Sequence, residues 1–263
     1  MNPFDFHRPA SVADAVRLRA AADDANYLAG GQSLLPTMKL GLAAPSALVD
    51  LARAGLAGIT RQGETLRIGA TTTHAAVAAS SEVQQAIPAL ACLADGIGDP
   101  AVRSRGTIGG SLAQNDPAAC WPAAVLGLGA TVHTDRREIA ADDFFEGLYE
   151  TALEAGELIT AVSFPLPQRA AYAKFKQPAS RFALVGVFVG QGPKGVRVAV
   201  TGAGPVVFRV PAFEAALTKR WSAAALDGLQ VVADGLNTDL HASAAYRAHL
   251  VGVLAKRAVA QAA

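Results

Sequence analysis

The chain has 263 residues, of which 51% are apolar, and a formal net charge of +1, so it is long enough and apolar enough for two folded domains. A nucleic-acid-binding protein needs a basic cluster, and the strongest basic feature here is the pair Arg103 and Arg105, which argues against that class. The two cysteines, Cys92 and Cys120, cannot supply the thiolates of an iron–sulfur cluster or of a cysteine-rich zinc site.

The cysteine count and the opening segment also indicate in which cellular compartment the protein resides. Two isolated cysteines suit a reducing environment, and we expect a cytoplasmic protein. The opening stretch, MNPFDFHRPASVADAVRLRAA, contains an early acidic residue and no apolar run, which argues against a signal peptide. No stretch approaches ~20 consecutive apolar residues, so no transmembrane helix is predicted.

The first part of the chain predicts one helix and two short strands. Ser11 is a suitable helix cap, and the apolar residues after it have helical spacing, which predicts a helix over 11–22. Short strands are expected within 25–31, which ends in glycines, and within 47–53. This order favours a small mixed sheet with the helix packed on one face.

The middle of the chain alternates between strand and helix patterns. Residues 65–71 alternate as a strand does, and 73–80 and 81–98 predict two helical stretches, with Pro88 near the start of the second. Residues 120–135 predict a helix that runs into a strand near 131–134.

A strand is predicted in ELITAVSFPLP, where Pro165 and Pro167 end it, and we place a domain boundary near residue 167. The runs AYAKFKQ, ALVGVFVGQG and GVRVAVTGAG then predict three strands of an antiparallel meander. The last segment predicts a helix capped by Ser243, with one face formed by Tyr246, Leu250, Leu254 and Ala258.

Two glycine-rich segments share one pattern: LAGGQSLLPTMKL at 28–40 and TIGGSLAQN at 107–115. A Gly–Gly pair lets the main chain approach a ligand closely, and successive exposed N–H groups can bind an anion. The neighbouring amide and hydroxyl groups add neutral donors, so the pair suits a pyrophosphate. Ordinary glycine turns remain the alternative interpretation.

The familiar nucleotide and hydrolase motifs are missing from the sequence. There is no G-x-x-x-x-G-K-[ST] of a P-loop and no G-x-S-x-G elbow. The stretch GDPAVRSRGTIGG lacks the glycine spacing of a Rossmann dinucleotide site.

The segments AGGQSLLPTMKL and IGDPAVRSRGTIGGSLAQNDPAA resemble the two FAD-binding signatures of the medium, flavoprotein subunit of molybdenum hydroxylases in the xanthine dehydrogenase family, closest to the medium chain of carbon monoxide dehydrogenase. Other blocks of that family follow in the same order: LRIGATTTHAAV, DFFEGLYETALEAGELITAVSFP, YAKFKQPASRFALVGV and SAAYRAHLVGVLAKRA. The resemblance therefore covers nearly the whole chain.

The resemblance implies an α+β fold in two parts. Residues 1–167 would form a two-subdomain FAD-binding fold of the vanillyl-alcohol-oxidase/PCMH type, with subdomains of roughly 1–55 and 56–167. Residues 168–263 would form a smaller C-terminal domain with an antiparallel sheet and helices.

The resemblance also implies the residues that bind FAD. The first loop matches at Ala29, Gly30, Gly31, Gln32, Ser33 and Leu34, and the second at Thr107, Ile108, Gly109, Gly110 and Ser111.

The family usually has an acidic residue after the second loop, and Cys120 occupies that position here. A thiol cannot replace a carboxylate as a strong acceptor, so Asp116 would take over or binding would be weaker. Ile159 and Lys176 match positions beside the flavin ring. Phe182 matches an aromatic position close to the flavin.

His74 has no second ligand at metal-binding spacing, so we interpret it as structural, and Trp121 as a core or interface residue. Ile97 would pack near the adenine or the flavin ring. One of Asp99, Arg103 and Arg105, which precede the second loop, would reach a phosphate or a neighbouring subunit, and a plain surface or ion-pair role is the alternative.

The implied function is electron transfer through FAD. A large partner subunit would carry the molybdenum cofactor, a small one two [2Fe–2S] clusters, and the assembly would be a dimer of heterotrimers. FAD would pass electrons to NAD, oxygen or a quinone-type acceptor, and this chain needs no catalytic acid, base or metal. Two alternatives remain open at this point: a self-contained FAD-dependent oxidoreductase of the same superfamily, and a non-catalytic protein that has lost FAD.

Overall fold

A computed structural model describes residues 2–262, so the terminal residues of the two expected domains, Met1 and Ala263, lie outside the described part. The α-helices, α1 to α10 in chain order, are Val12–Ala20, Leu34–Lys39, His74–Ala79, Ser81–Ala86, Pro88–Asp95, Pro100–Arg105, Ile108–Gln114, Trp121–Leu128, Pro211–Lys219 and Ala244–Gln261. The strands, β1 to β14, are Asp5–His7, Asn26–Leu28, Ala47–Asp50, Ile59–Gln62, Thr65–Gly69, Thr131–Thr134, Glu138–Ala140, Phe145–Gly147, Glu150–Thr151, Ile159–Pro165, Arg169–Lys176, Ala183–Gly192, Gly195–Thr201 and Phe208–Arg209.

The first sheet has the order β1-β3-β2, and α1 packs against β3. The predicted cap is confirmed, because the Ser11 hydroxyl accepts a hydrogen bond from the Asp14 N–H at 3.1 Å. The expectation of a mixed sheet is wrong, since both strand pairs are parallel. Each strand is separated from the next by a helical segment, and such crossovers return the chain in the same direction.

The second sheet has the order β4-β5-β10-β6-β7, with antiparallel pairs throughout. The predicted helix-to-strand unit at 120–135 is confirmed as α8 followed by β6. Residues 73–98, for which two helical stretches were predicted, form three helices, α3, α4 and α5. Ser80 caps α4, and Pro88 begins α5 because proline is favoured in the first helical turn, where its missing N–H costs nothing.

The third sheet has the order β11-β12-β13-β14, which confirms the antiparallel meander. Helices α9 and α10 cover one face, where the valines of β12 and β13 pack. Ser243 caps α10, and Leu250, Leu254 and Ala258 are buried as predicted. Tyr246 is instead 42% exposed and packs edge-on against Phe175.

The other face of this third sheet packs on α8, so the core of the second sheet continues into the C-terminal part of the chain. A Cβ at Gly127 of α8 would lie 2.8 Å from the Phe188 ring, which shows how closely this helix approaches β12. The buried Arg197 on β13 donates to the Leu126 carbonyl at 2.7 Å and to the Asp142 carboxylate at 2.5 Å. Helices and sheets thus form the expected α+β fold in two packed parts.

Among residues 2–262, no helix is both long enough and apolar enough to cross a bilayer.

Candidate functional site

A cavity of about 620 Å³ lies where the three sheets and the two glycine loops meet, a volume in the usual range for a bound organic cofactor. Thirteen of the sequence-predicted residues line it. They are Ala29, Gly30, Gly31, Gln32, Ser33, Leu34, Thr107, Gly109, Gly110, Ser111, Asp116, Cys120 and Ile159.

The two glycine loops are in direct contact. A Cβ at Gly30 would lie 2.1 Å from the Arg105 carbonyl oxygen and 2.8 Å from the Gly106 Cα, so only glycine fits there. Gly31 follows with a φ of +73°, a conformation that side chains disfavour. The sequence therefore needs both glycines of the first loop, one for close approach and one for the backbone turn.

The first loop presents unpaired main-chain donors. Within residues 2–262 no acceptor is in hydrogen-bond reach of the N–H groups of Gly30, Gly31, Gln32 and Ser33, and the Ser33 hydroxyl is also unpaired. Consecutive free N–H groups beside a left-handed residue form an anion-binding concavity. This loop fits a diphosphate, as the sequence predicts.

The second loop contributes in a different way. Its N–H groups are used within the protein: Ile108 donates to Thr72, Gly109 to the Ala70 carbonyl at 2.8 Å, and Gly110 to the Thr107 hydroxyl at 3.1 Å. These main-chain donors are therefore not available to a ligand, contrary to our expectation for this loop. Its glycines instead allow close packing: a Cβ at Gly109 would lie 2.6 Å from the Ala70 Cβ, and one at Gly110 would lie 3.8 Å from the Ala29 Cβ of the first loop. The Ser111 hydroxyl has no partner among the described residues and can still donate.

Cys120 lies in the cavity lining between two polar groups. Its sulfur accepts a hydrogen bond from the Lys174 ammonium at 3.2 Å, and the same ammonium donates to the Gly96 and Arg181 carbonyls at 2.8 and 3.0 Å. The buried Tyr172 hydroxyl has no hydrogen-bond partner of good geometry in the part of the chain that the structure describes. Burial, with a smaller effect of the nearby Cys120, raises the pKa of Tyr172 well above its ordinary value.

Asp116 does not simply replace the missing acid, because one of its oxygens is engaged locally. Oδ1 accepts from the Ala118 N–H at 2.8 Å and stabilises the turn before α8. The residue nevertheless lines the cavity, so its other oxygen can face a ligand.

Two predicted residues do not line the cavity. The Ile108 side chain is fully buried in the core, because it points from α7 towards the second sheet. Lys176 is exposed near the end of β11, where a β-bulge after Phe175 interrupts the alternation of the strand. Lys174, two residues earlier, reaches the cavity instead. The assignment of Lys176 to the flavin ring stays a prediction.

Residues of the third sheet complete the lining, and sequence reasoning missed most of them. Ser180 and Arg181 lie in the turn between β11 and β12, and Phe182, which the sequence did suggest, follows them. Arg181 has a φ of +63°, and its guanidinium makes no ion pair within the described residues. No sequence pattern signals this contribution, since it arises from the packing of the two parts of the chain.

The residues before the second loop have structural partners. Asp99 caps α6 by accepting from the Val102 N–H at 2.8 Å, and Arg103 donates to the carbonyls of Ile97 and Gly98. Ile97 itself lines the cavity. Among the described residues, no group of three or more His, Cys, Asp or Glu side chains could hold a metal ion.

A cavity of this size, bordered by two adjoining glycine loops of which the first presents free main-chain donors, suits a protein that binds a dinucleotide cofactor. The family described as the FAD binding domain in molybdopterin dehydrogenase matches residues 2–167, and the CO dehydrogenase flavoprotein C-terminal domain matches residues 170–262. The chain belongs to this family of FAD-binding medium subunits, which are oxidoreductase components.

Curated relatives span nearly the same length. The chain is 37% identical to the nicotine 6-hydroxylase medium subunit of Paenarthrobacter nicotinovorans, over 98% of this chain and 96% of the relative. It is 36% identical to the carbon monoxide dehydrogenase medium chain of Afipia carboxidovorans, with the same coverage. Among solved structures, carbon monoxide dehydrogenase from Hydrogenophaga pseudoflava matches with a TM-score of 0.89 and 36% identity, over 100% of this chain and 99% of that one.

Proposed function

We propose that this chain carries FAD as the electron-transfer subunit of a molybdenum hydroxylase complex. It would take electrons from the [2Fe–2S] clusters of a small partner subunit, while a large partner subunit holds the molybdenum cofactor and oxidises the substrate. The observation that carries the proposal is the contact between the two glycine loops, beside four N–H groups that have no acceptor within the described residues. FAD, when bound, supplies the redox chemistry that the side chains of this cavity lack.

The residues of the chain have binding roles rather than acid–base roles. The first loop would hold the diphosphate through its N–H groups, and Ser111 would add a hydroxyl donor. Ile159 and Phe182 would exclude water from the flavin ring, since both lie in the lining on the side of the second and third sheets. Lys174 would place one positive charge beside the ring, where it stabilises negative charge on the cofactor.

The partners and the organisation follow the family. We propose that the complex is a dimer of heterotrimers. We place it in the cytoplasm because both cysteines of this chain are free thiols. We also propose a domain boundary near residue 167. The relatives are named for nicotine and for carbon monoxide, so the substrate of the complex is open, and so is the final acceptor.

Reconstitution with FAD tests the proposal directly. The purified chain, stripped of flavin and mixed with excess FAD, should retain about one FAD per chain after gel filtration, with the flavin absorbance bands. It should reduce artificial acceptors poorly with any candidate substrate until a large and a small subunit are added. A protein that stays colourless, or one that turns over substrate alone, would contradict the proposal.

A further inference from the structure

The His74 side chain, which the sequence suggests is structural, lies in the lining of the cavity. It is 5% exposed and begins α3, and its main-chain N–H donates to the Gly106 carbonyl at 2.9 Å. Thr73 and Thr107 form an isolated antiparallel bridge next to it. The histidine is therefore attached to the second glycine loop and is held under it.

Trp121 fixes which ring nitrogen of this histidine carries the proton. The indole N–H can only donate, and it lies 3.1 Å from Nδ1 of His74, so Nδ1 is the acceptor. Burial, and secondarily the Arg103 charge, lower the pKa of His74 to about 4, and the ring is neutral at pH 7. A neutral ring with Nδ1 as acceptor carries its hydrogen on Nε2.

The Nε2–H group has no acceptor within residues 2–262, and it is not among the fully buried polar atoms of the described residues, so it is open to the cavity that His74 lines. The space above the ring is kept open by Gly106, because a Cβ there would lie 2.8 Å from Nε2. The donor thus borders the cavity that the two loops enclose, where a bound molecule can supply the acceptor.

We propose that His74 donates a hydrogen bond from Nε2 to bound FAD, as a positioning residue whose tautomer Trp121 sets. This inference rests on the proposed FAD site and deepens it. Phosphate, ribityl and ring oxygens of FAD are all acceptors, and a fixed neutral donor selects among them by geometry without adding charge.

Nitrogen-15 NMR of the full chain labelled at histidine tests the proposal. Before FAD is added, His74 should show a protonated Nε2 and an unprotonated Nδ1. Saturating FAD should shift the Nε2 resonance and slow the exchange of its proton with solvent. Three other histidines, His7, His133 and His249, do not line the cavity and serve as internal controls whose resonances should stay in place. His241 is not used as a control, because it packs edge-on against Phe182 of the lining.

Two variants supply an independent readout by fluorescence titration of FAD. His74→Phe, which fills the space without a donor, should weaken FAD binding about tenfold, and Trp121→Phe, which frees the tautomer, should weaken it by a smaller factor. FAD binding that leaves the His74 Nε2 resonance unchanged, or a ring protonated on Nδ1, would overturn the inference while leaving the proposed function intact. Failure of the unmodified chain to bind FAD would overturn both.

Discussion

The Cys120 side chain is a poor acceptor for two neighbouring donors. The Lys174 ammonium donates to the thiol sulfur, which is a weak acceptor, and the buried Tyr172 hydroxyl has no acceptor of good geometry. A carboxylate is the acceptor that both groups would favour. The surrounding side chains at Cys120 thus suit the acidic residue that the family resemblance implies for this position.

Cys120→Asp should therefore stabilise the chain. The new carboxylate can accept from Lys174 and from Tyr172, and hydrogen bonds to charged groups contribute about 1.5–3 kcal/mol, part of which burial of the carboxylate offsets. We expect a net gain of about 1 kcal/mol in the free energy of unfolding by urea denaturation. Cys120→Asn, which is neutral, should gain less, and Cys92→Asp, at an exposed position, should change little. A loss of stability in Cys120→Asp alone would contradict this reading of the cluster.

At the scale of elements, local signals account for what the sequence could predict. Ser11 and Ser243 mark helix starts, and alternation marks β12 and β13, because caps and strand faces are set by neighbours in the chain. The bulge that exposes Lys176 carries no such signal, since it depends on how β11 pairs with β12.

The same limit applies to the candidate site. The glycine loops could be predicted because each one is a run of consecutive residues whose Gly, amide and hydroxyl groups are visible in the sequence. The contributions of Lys174 and Arg181 could not, because they come from the far side of the domain boundary. The donor role that we propose for His74 could not be predicted either, because the tautomer of this ring depends on Trp121, 47 positions away.

The turn that precedes β10 should make the chain acid-sensitive through Glu157. Its buried carboxylate accepts from Arg137 at 3.0 Å, from Thr134 and from the Glu154 N–H, and the hydrogen bonds from Arg137 are the main reason that its pKa falls to about 2 from 4.5. Because the folded-state pKa is lowered, this stabilisation is present above about pH 4.5 and is lost as the pH falls towards 2.

Glu157→Gln should lower the free energy of unfolding at pH 7 by about 2 kcal/mol, as expected for lost bonds to a charged group. The gap between the variant and the unmodified chain should narrow as the pH is lowered from 4.5 to 2.5 in urea titrations. Glu154→Gln is the matched control, since that side chain is 62% exposed and contacts the neighbouring arginines from solvent; it should differ by less than about 0.5 kcal/mol. A gap for Glu157→Gln that stays constant with pH would rule out the ionised carboxylate as its source.

At the scale of the whole molecule, the cavity and the core cross the expected domain boundary together. The third sheet closes one side of the cavity through the turn that contains Arg181, and its Phe188 shares a core with α8. Arg197 adds buried hydrogen bonds across the same contact. The two parts that the family descriptions match separately are therefore coupled energetically, and a ligand in the cavity contacts both.

The chain should consequently unfold in one calorimetric transition, and FAD should raise the Tm of that whole transition. A ligand that binds only the folded state adds RT ln(1 + [L]/Kd), about 2.7 kcal/mol at one hundred times Kd, which corresponds to a rise of roughly 5–10 °C in Tm. Gly30→Ala places a Cβ against the Arg105 carbonyl and should abolish most of this rise. Gly252→Ala, in open space on α10, should keep it. Two separate transitions, only one of which responds to FAD, would show instead that the C-terminal sheet folds independently and takes no part in binding.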